Sequence, residues 1–167
     1  AQTIHSQWNI DHSPSVEDHS DRVFGGIQIE LLAIPNHTPF AYYVRQHDQT
    51  DERPVDFLQD YDYDSDYFGF GSTGEVTTDL LYNTEIVFET GTSQFQYPYG
   101  RNSRIRAFAF DQLFEYYFRG DYNPVLSCEY ALATGDDDRD SATDTILGNR
   151  KGRDNSYLGF GYINTGY

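Results

Sequence analysis

Between Arg22 and Leu132 the side chains keep a period of two, broken only by turns and polar stretches. Val23, Ile27, Ile29, Leu31 and Ala33 point one way, and Gln28 and Glu30 the other. Phe40, Tyr42 and Val44 alternate with Ala41, Tyr43, Arg45 and His47. A further strand is expected at about Tyr67 to Val76. Beyond a tight turn at Thr78-Asp79, Leu80, Tyr82, Thr84, Ile86 and Phe88 oppose Asn83, Glu85 and Glu89. The longest run, about Ser103 to Arg119, sets Phe108, Phe110, Phe114, Tyr116 and Phe118 against Asp111, Glu115, Tyr117 and Arg119. Leu126, Cys128, Tyr130 and Leu132 then oppose Ser127, Glu129 and Ala131, and a last strand is expected from Tyr157 to Gly166. Successive side chains of a strand leave opposite faces, so this pattern predicts strands with one apolar and one polar face and leaves almost no candidate helix. The expected fold is all-β, an antiparallel up-and-down meander of about seven strands over residues 22–167, preceded by a polar arm or loop at 1–21.

The connections are unequal. Short ones fall at Pro35 to Pro39, Thr78-Asp79 and Asp121 to Pro124, and long polar ones at 48–66, 91–102 and 135–153. Outer-membrane barrels place short turns on one side and long loops on the other. No run approaches the roughly 20 apolar residues of a spanning helix, but a spanning strand needs only about 9 to 11 and hides its apolar residues at alternate positions. The apolar faces draw on 15 Tyr and 12 Phe. Rings near strand ends, Phe24, Phe40, Tyr67, Phe118, Tyr157 and Tyr162, fit an aromatic girdle at a bilayer interface. The opposite faces carry Glu30, Arg45, Glu85, Glu89, Asp111, Glu115, Arg119 and Glu129 in mid-strand, as a water-filled lumen permits, and these are the candidate pore-lining residues. The meander is therefore expected to form part of a transmembrane β-barrel in a bacterial outer membrane, facing lipid or lipopolysaccharide. The rival is an acidic soluble sheet packed against a partner.

A net charge of −16, from 27 acidic and 11 basic residues, speaks against nucleic acid as a partner. No catalytic constellation emerges, and no enzyme activity is expected. Glu85 and Glu89 share a strand face about 13 Å apart, too far for a glycosidase pair, and read as hydrated carboxylates that tune selectivity. Gly69-Phe-Gly-Ser-Thr-Gly74 has dinucleotide-loop spacing, but a further strand comes next where a helix would be needed, so small residues on a crowded barrel wall are the better account. No resident cofactor is expected. Asp136, Asp137, Asp138 and Asp140, with the Asp60 to Asp66 cluster, are candidate Ca²⁺ ligands, though a solvated acidic loop is the plainer reading. His5, His12 and His19 recur at a spacing that does not suit metal ligation on a helix. Cys128 reads as a small hydrophobe.

Several ordered phrases carry a resemblance: Tyr82 to Gly91 (Tyr-Asn-Thr-Glu-Ile-Val-Phe-Glu-Thr-Gly), Ala107-Phe-Ala-Phe-Asp111, Glu129-Tyr-Ala-Leu-Ala-Thr-Gly-Asp136 and Gly159-Phe-Gly-Tyr-Ile-Asn-Thr-Gly166. Together they resemble the alginate-export family of Gram-negative outer-membrane barrels, most nearly its planctomycete-type members. The resemblance implies a large antiparallel barrel conducting a polar solute. About seven strands do not enclose such a barrel, so the remaining strands are expected from a longer chain or a partner chain. The named polar-face residues include six acids against two arginines, a poor lining for polyuronate and a better one for a neutral or cationic solute. The alternative is an outer-membrane or secreted β scaffold that binds a partner through its acidic loops or open sheet edges.

Overall fold

The structure, a computed structural model, describes residues 2–6, 22–48, 61–95, 101–137 and 152–159. These residues contain no helix, and so none long and apolar enough to cross a membrane. They form one sheet of eight strands: β1 (Gln2–Ser6), β2 (Arg22–Glu30), β3 (His37–Asp48), β4 (Tyr61–Thr77), β5 (Leu80–Phe95), β6 (Arg101–Tyr117), β7 (Val125–Ala133) and β8 (Arg153–Asp154). From β1 to β7 each strand pairs antiparallel with the next, giving the expected meander. The two-residue β8 lies parallel to β6, with Arg104 opposite Arg153 and Ile105 opposite Asp154.

The first short connection falls at 31–36 rather than at Pro35 to Pro39, β6 ends at Tyr117 rather than about Arg119, and four boundaries differ more widely from expectation. The polar N-terminal stretch contributes β1, an edge strand held by main-chain pairing, which requires no apolar period. The acidic run expected in a loop up to Asp66 opens β4 at Tyr61 instead. Alternation puts Asp64 and Asp66 on one face, where β3 supplies a counter-charge and a ring partner: Arg45 lies 3.2 Å from Asp66 and 3.7 Å from Asp64, and His47 Nδ1 lies 2.8 Å from Asp64. Likewise β5 and β6 run on through most of the expected loop at 91–102. Finally, residues 155–159 are not a strand, and 160–167, with Tyr162, lie outside the described residues.

The connections at 31–36, 78–79 and 118–124 join strands at one end of the sheet, and all the others leave from the opposite end. Asn36 (φ 65°) and Asn123 (φ 41°) take left-handed positions in two of these turns, a conformation Asn tolerates.

Register builds two unlike faces. On the outer face, one row reads Ile27, Tyr43, Phe68, Phe88, Phe108 across β2 to β6, and the next reads Ile29, Ala41, Phe70, Ile86, Phe110, Leu132 across β2 to β7. Ile27, Ile29, Phe68, Phe70, Phe88 and Leu132 are all exposed. Nothing among the described residues covers this band. Toward the short turns it is bounded by Ser72, Thr84 and Gln112, then by Tyr82, Phe114 and Cys128. The Thr84 hydroxyl donates to the Gln112 side-chain oxygen, while Gln112 Nε2 reaches the Asn83 carbonyl at 3.1 Å. These polar groups satisfy one another, as a dry environment demands.

The rings expected to make an aromatic girdle, Phe24, Phe40, Tyr67, Phe118, Tyr157 and Tyr162, do not stand together on the outer face. Register sends Phe24, Phe40 and Tyr67 to the inner face, and Phe118 lies in a turn. The outward rings are Tyr43, Phe68, Phe88 and Phe108 at one level, and Tyr82, Phe114 and Tyr116 nearer the short turns.

Candidate functional site

The inner face gathers the acids. Pairing links Glu30 to Phe40, Gly71, Glu85 and Asp111 along one row, and neighbouring rows bring in Glu89, Glu115 and Glu129. All six acids expected on the polar face are there. The two arginines are not. Arg45 sits on the outer face between Asp64 and Asp66, because β3 is phased opposite to the expectation. Arg119 lies beyond the end of β6, where its Nε donates to Asp79 at 2.7 Å beside the tight turn. Among the described side chains the inner face carries no Lys or Arg.

Glycines decide how β3 packs across this face. A Cβ built on Gly69 meets the Tyr42 ring at 2.0 Å, and one on Gly71 meets the Phe40 ring at 2.4 Å. Both rings thus lie flat across β4, and the Tyr42 hydroxyl reaches β5 to donate to Glu85. The Gly-x-Gly spacing serves ring packing within a strand and has no helix N-terminus after it. Gly69→Val is expected to expel Tyr42, break its bond to Glu85 and cost about 1–3 kcal/mol, the range for overpacking. Gly25→Val, where nothing lies within 4 Å of the new Cβ, is the control. Urea midpoints of the two variants check this, and equal midpoints would refute the packing account.

A later segment returns over the same face. Residues 152–159 form a strap: the Arg104 amide donates to the Gly152 carbonyl at 3.0 Å, and the Tyr157 amide donates to the Thr134 carbonyl at 2.9 Å. The Leu158 amide donates to Glu89 Oε2 at 2.8 Å, while the Tyr67 hydroxyl donates to the Leu158 carbonyl at the same distance. Tyr63 and Ser65 hydroxyls donate to Glu89 Oε1 at 2.7 and 2.8 Å. Tyr63, Ile105 and Leu158 form the buried apolar cluster between strap and sheet. Glu89 is consequently 0% exposed. Alternation alone suggests a hydrated carboxylate there; three donors and the strap over it make it an anchor instead.

Beside the strap a recess of about 560 Å³ opens between Tyr42, Glu85, Asp111 and Tyr157, floored by Ala109 and Ala131. The Tyr157 ring stands edge-on to Tyr67, with centroids 6.4 Å apart. Burial, together with the charges of Glu89 and Glu85, pushes the Tyr157 hydroxyl up to about 12, so it remains a proton donor at neutral pH. One oxygen of Asp111 is shut from solvent with no hydrogen-bond partner. The face can therefore accept hydrogen bonds and attract positive charge.

Among the described residues no group of three or more His, Cys, Asp or Glu side chains could hold a metal ion. Asp138 and Asp140, with Asp60, His12, His19 and Trp8, lie outside the described residues; Asp136 and Asp137 follow β7 in an irregular stretch. Cys128 is exposed on the outer face. Sequence reasoning missed the strap and the burial of Glu89; the polar donors Tyr63 and Ser65, in phase with Tyr67 on β4, were the available signal.

Comparison with known proteins adds one finding. A family model described as alginate export matches residues 8–163. No curated protein and no solved structure matches the chain.

Proposed function

This chain belongs to the alginate-export family, and from that premise we propose that its sheet is wall of an outer-membrane channel which passes neutral or cationic polar solutes along its acid-bearing face. The observation that carries the reading is the outer apolar band, two residue rows deep across β2 to β6 and uncovered, with Glu30, Glu85, Glu89, Asp111, Glu115 and Glu129 all on the other side. Water does not tolerate such a band over so many strands without an occupant, whereas hydrocarbon matches it. β4, β5 and β6, at 17, 16 and 17 residues, are longer than the roughly 9 to 11 that a bilayer crossing requires. The remaining circumference comes from further strands at the open edges, since β7 is exposed along its whole length.

The family's description names an acidic polysaccharide, but a wall of carboxylates without a described basic side chain repels polyanions. Selectivity follows from the charge ring rather than from catalysis, and the protein is proposed to act without enzymatic chemistry. The scaffold alternative rests on the exposed β7 edge, which can accept a strand from another chain.

Reconstitution into planar bilayers separates these readings. The channel reading expects ohmic conductance with a reversal potential on the cation side under a salt gradient. Anion selectivity or an electrically silent bilayer containing inserted protein would count against it.

A further inference from the structure

On an acidic protein, a cluster of basic residues in one place calls for a reason. Arg104 and Arg106 occupy alternate positions of β6, both exposed on the outer face, immediately beyond Phe108 on the side of the long connections. Arg153 of β8 is exposed and stands in register with Arg104, so it lies beside Arg104 on the same face. Alternate residues of a strand are about 6.8 Å apart, close enough for two guanidinium groups to grip one tetrahedral anion from two sides.

The described carboxylates on this rim, Asp64 and Asp66, are already engaged. Asp66 accepts from Tyr43 at 2.6 Å and from Arg45, and Asp64 from His47. Across the sheet at the same level, Arg106 faces Thr90, and Arg104 faces Thr92, not an acid. No ion pair among the described residues ties Arg104 or Arg106 to a carboxylate. Their height is also fixed: the aromatic row Tyr43, Phe68, Phe88, Phe108 ends the apolar band, and the arginines begin one residue row above it. That is where hydrocarbon gives way to headgroups.

We propose that Arg104, Arg106 and Arg153 form a docking site for the phosphate of a lipopolysaccharide molecule in the leaflet that the long connections face. The proposal rests on the outer-membrane reading. Acyl chains lie against Phe108, Phe88 and Phe68, while the phosphate takes charge-assisted hydrogen bonds from the arginines. The strap gains a second anchor in this way, because Arg153 belongs to it.

The test uses the whole protein in phosphatidylcholine liposomes with or without bis-phosphorylated lipid A, followed by gentle detergent extraction and native mass spectrometry. The expected result is one retained lipid A per chain, with retention reduced at least tenfold in R104Q/R106Q and in R104Q/R106Q/R153Q. Arg→Gln keeps a polar side chain of similar length at an exposed site, and unchanged heat-modifiable migration on gels verifies that the variants fold. Equal retention of dephosphorylated lipid A, or undiminished retention by the variants, overturns the proposal and leaves the channel reading standing. Failure of the protein to insert into liposomes of either composition overturns both.

Discussion

Phe88→Arg is expected to destabilise the bilayer-inserted protein by about 1–3 kcal/mol, between the roughly 2–4 of an arginine at the bilayer midplane and the roughly 0–1 of one near the interface, because Phe88 lies in the last apolar row before the headgroups. Phe88 is 43% exposed and stands in the middle of an apolar row, with Phe68 on one side and Phe108 on the other. Were that face in water, the same substitution at an exposed position would shift stability by no more than about 0.5 kcal/mol. Depth makes the result sharper. Thr90 lies two residues along β5, on the same face and in line with Arg106. Thr90→Arg is therefore expected to cost only about 0–1 kcal/mol, as near an interface. Equilibrium urea unfolding in liposomes measures both. Equal and small effects at the two positions would remove hydrocarbon as the solvent of this face, and the transport proposal with it.

Glu89→Ala is expected to free the strap. The substitution removes the acceptor of three hydrogen bonds, leaving the Tyr63 and Ser65 hydroxyls and the Leu158 amide without partners in a buried setting. At roughly 1–3 kcal/mol for each donor left unsatisfied, offset by water entering the gap, the local loss is about 2–4 kcal/mol. The Tyr67 bond to the Leu158 carbonyl and the Tyr63, Ile105, Leu158 cluster remain, so the sheet itself persists. Amide exchange at Leu158 is expected to accelerate by roughly 1.5 to 3 orders of magnitude, at about 1.4 kcal/mol per tenfold, while exchange within β5 and β6 stays slow. Because the strap lies over the acid-bearing face, conductance is expected to rise in the same variant. Unchanged Leu158 exchange would show that Glu89 is not what holds the strap.

These two neighbouring residues show how far the residue pattern carries. Alternation alone assigns Phe88 and Glu89 to opposite faces, and does the same for the side chains of β6 and β7, because the acids of those strands share one phase and most of their rings the other. In β3 that clue fails. Phe40, Tyr42 and Val44 compete with Ala41 and Tyr43, both phases are apolar, and the expectation takes the wrong one, sending Arg45 to the inner face. Pairing with β2 and β4 settles the matter: Tyr42 must lie over Gly69 to reach Glu85, which turns Arg45 outward toward Asp66. The acidic start of β4 misleads for a related reason. Self-repulsion suggests a loop, but alternation separates the acids and β3 brings them a guanidinium, an imidazole and a phenol.

Local chemistry determined the strand class, the short turns at Thr78-Asp79 and Asp121 to Pro124, and the segregation of acids from rings in β5 to β7, because a period of two needs no knowledge of neighbours. Only the tertiary structure decided the phase of β3, the gathering of Arg104, Arg106 and Arg153, and the burial of Glu89. Each of these depends on register or on contacts between distant segments. The Leu158 amide that covers Glu89 belongs to a strap far along the chain, and no local alternation encodes a hydrogen bond of that reach.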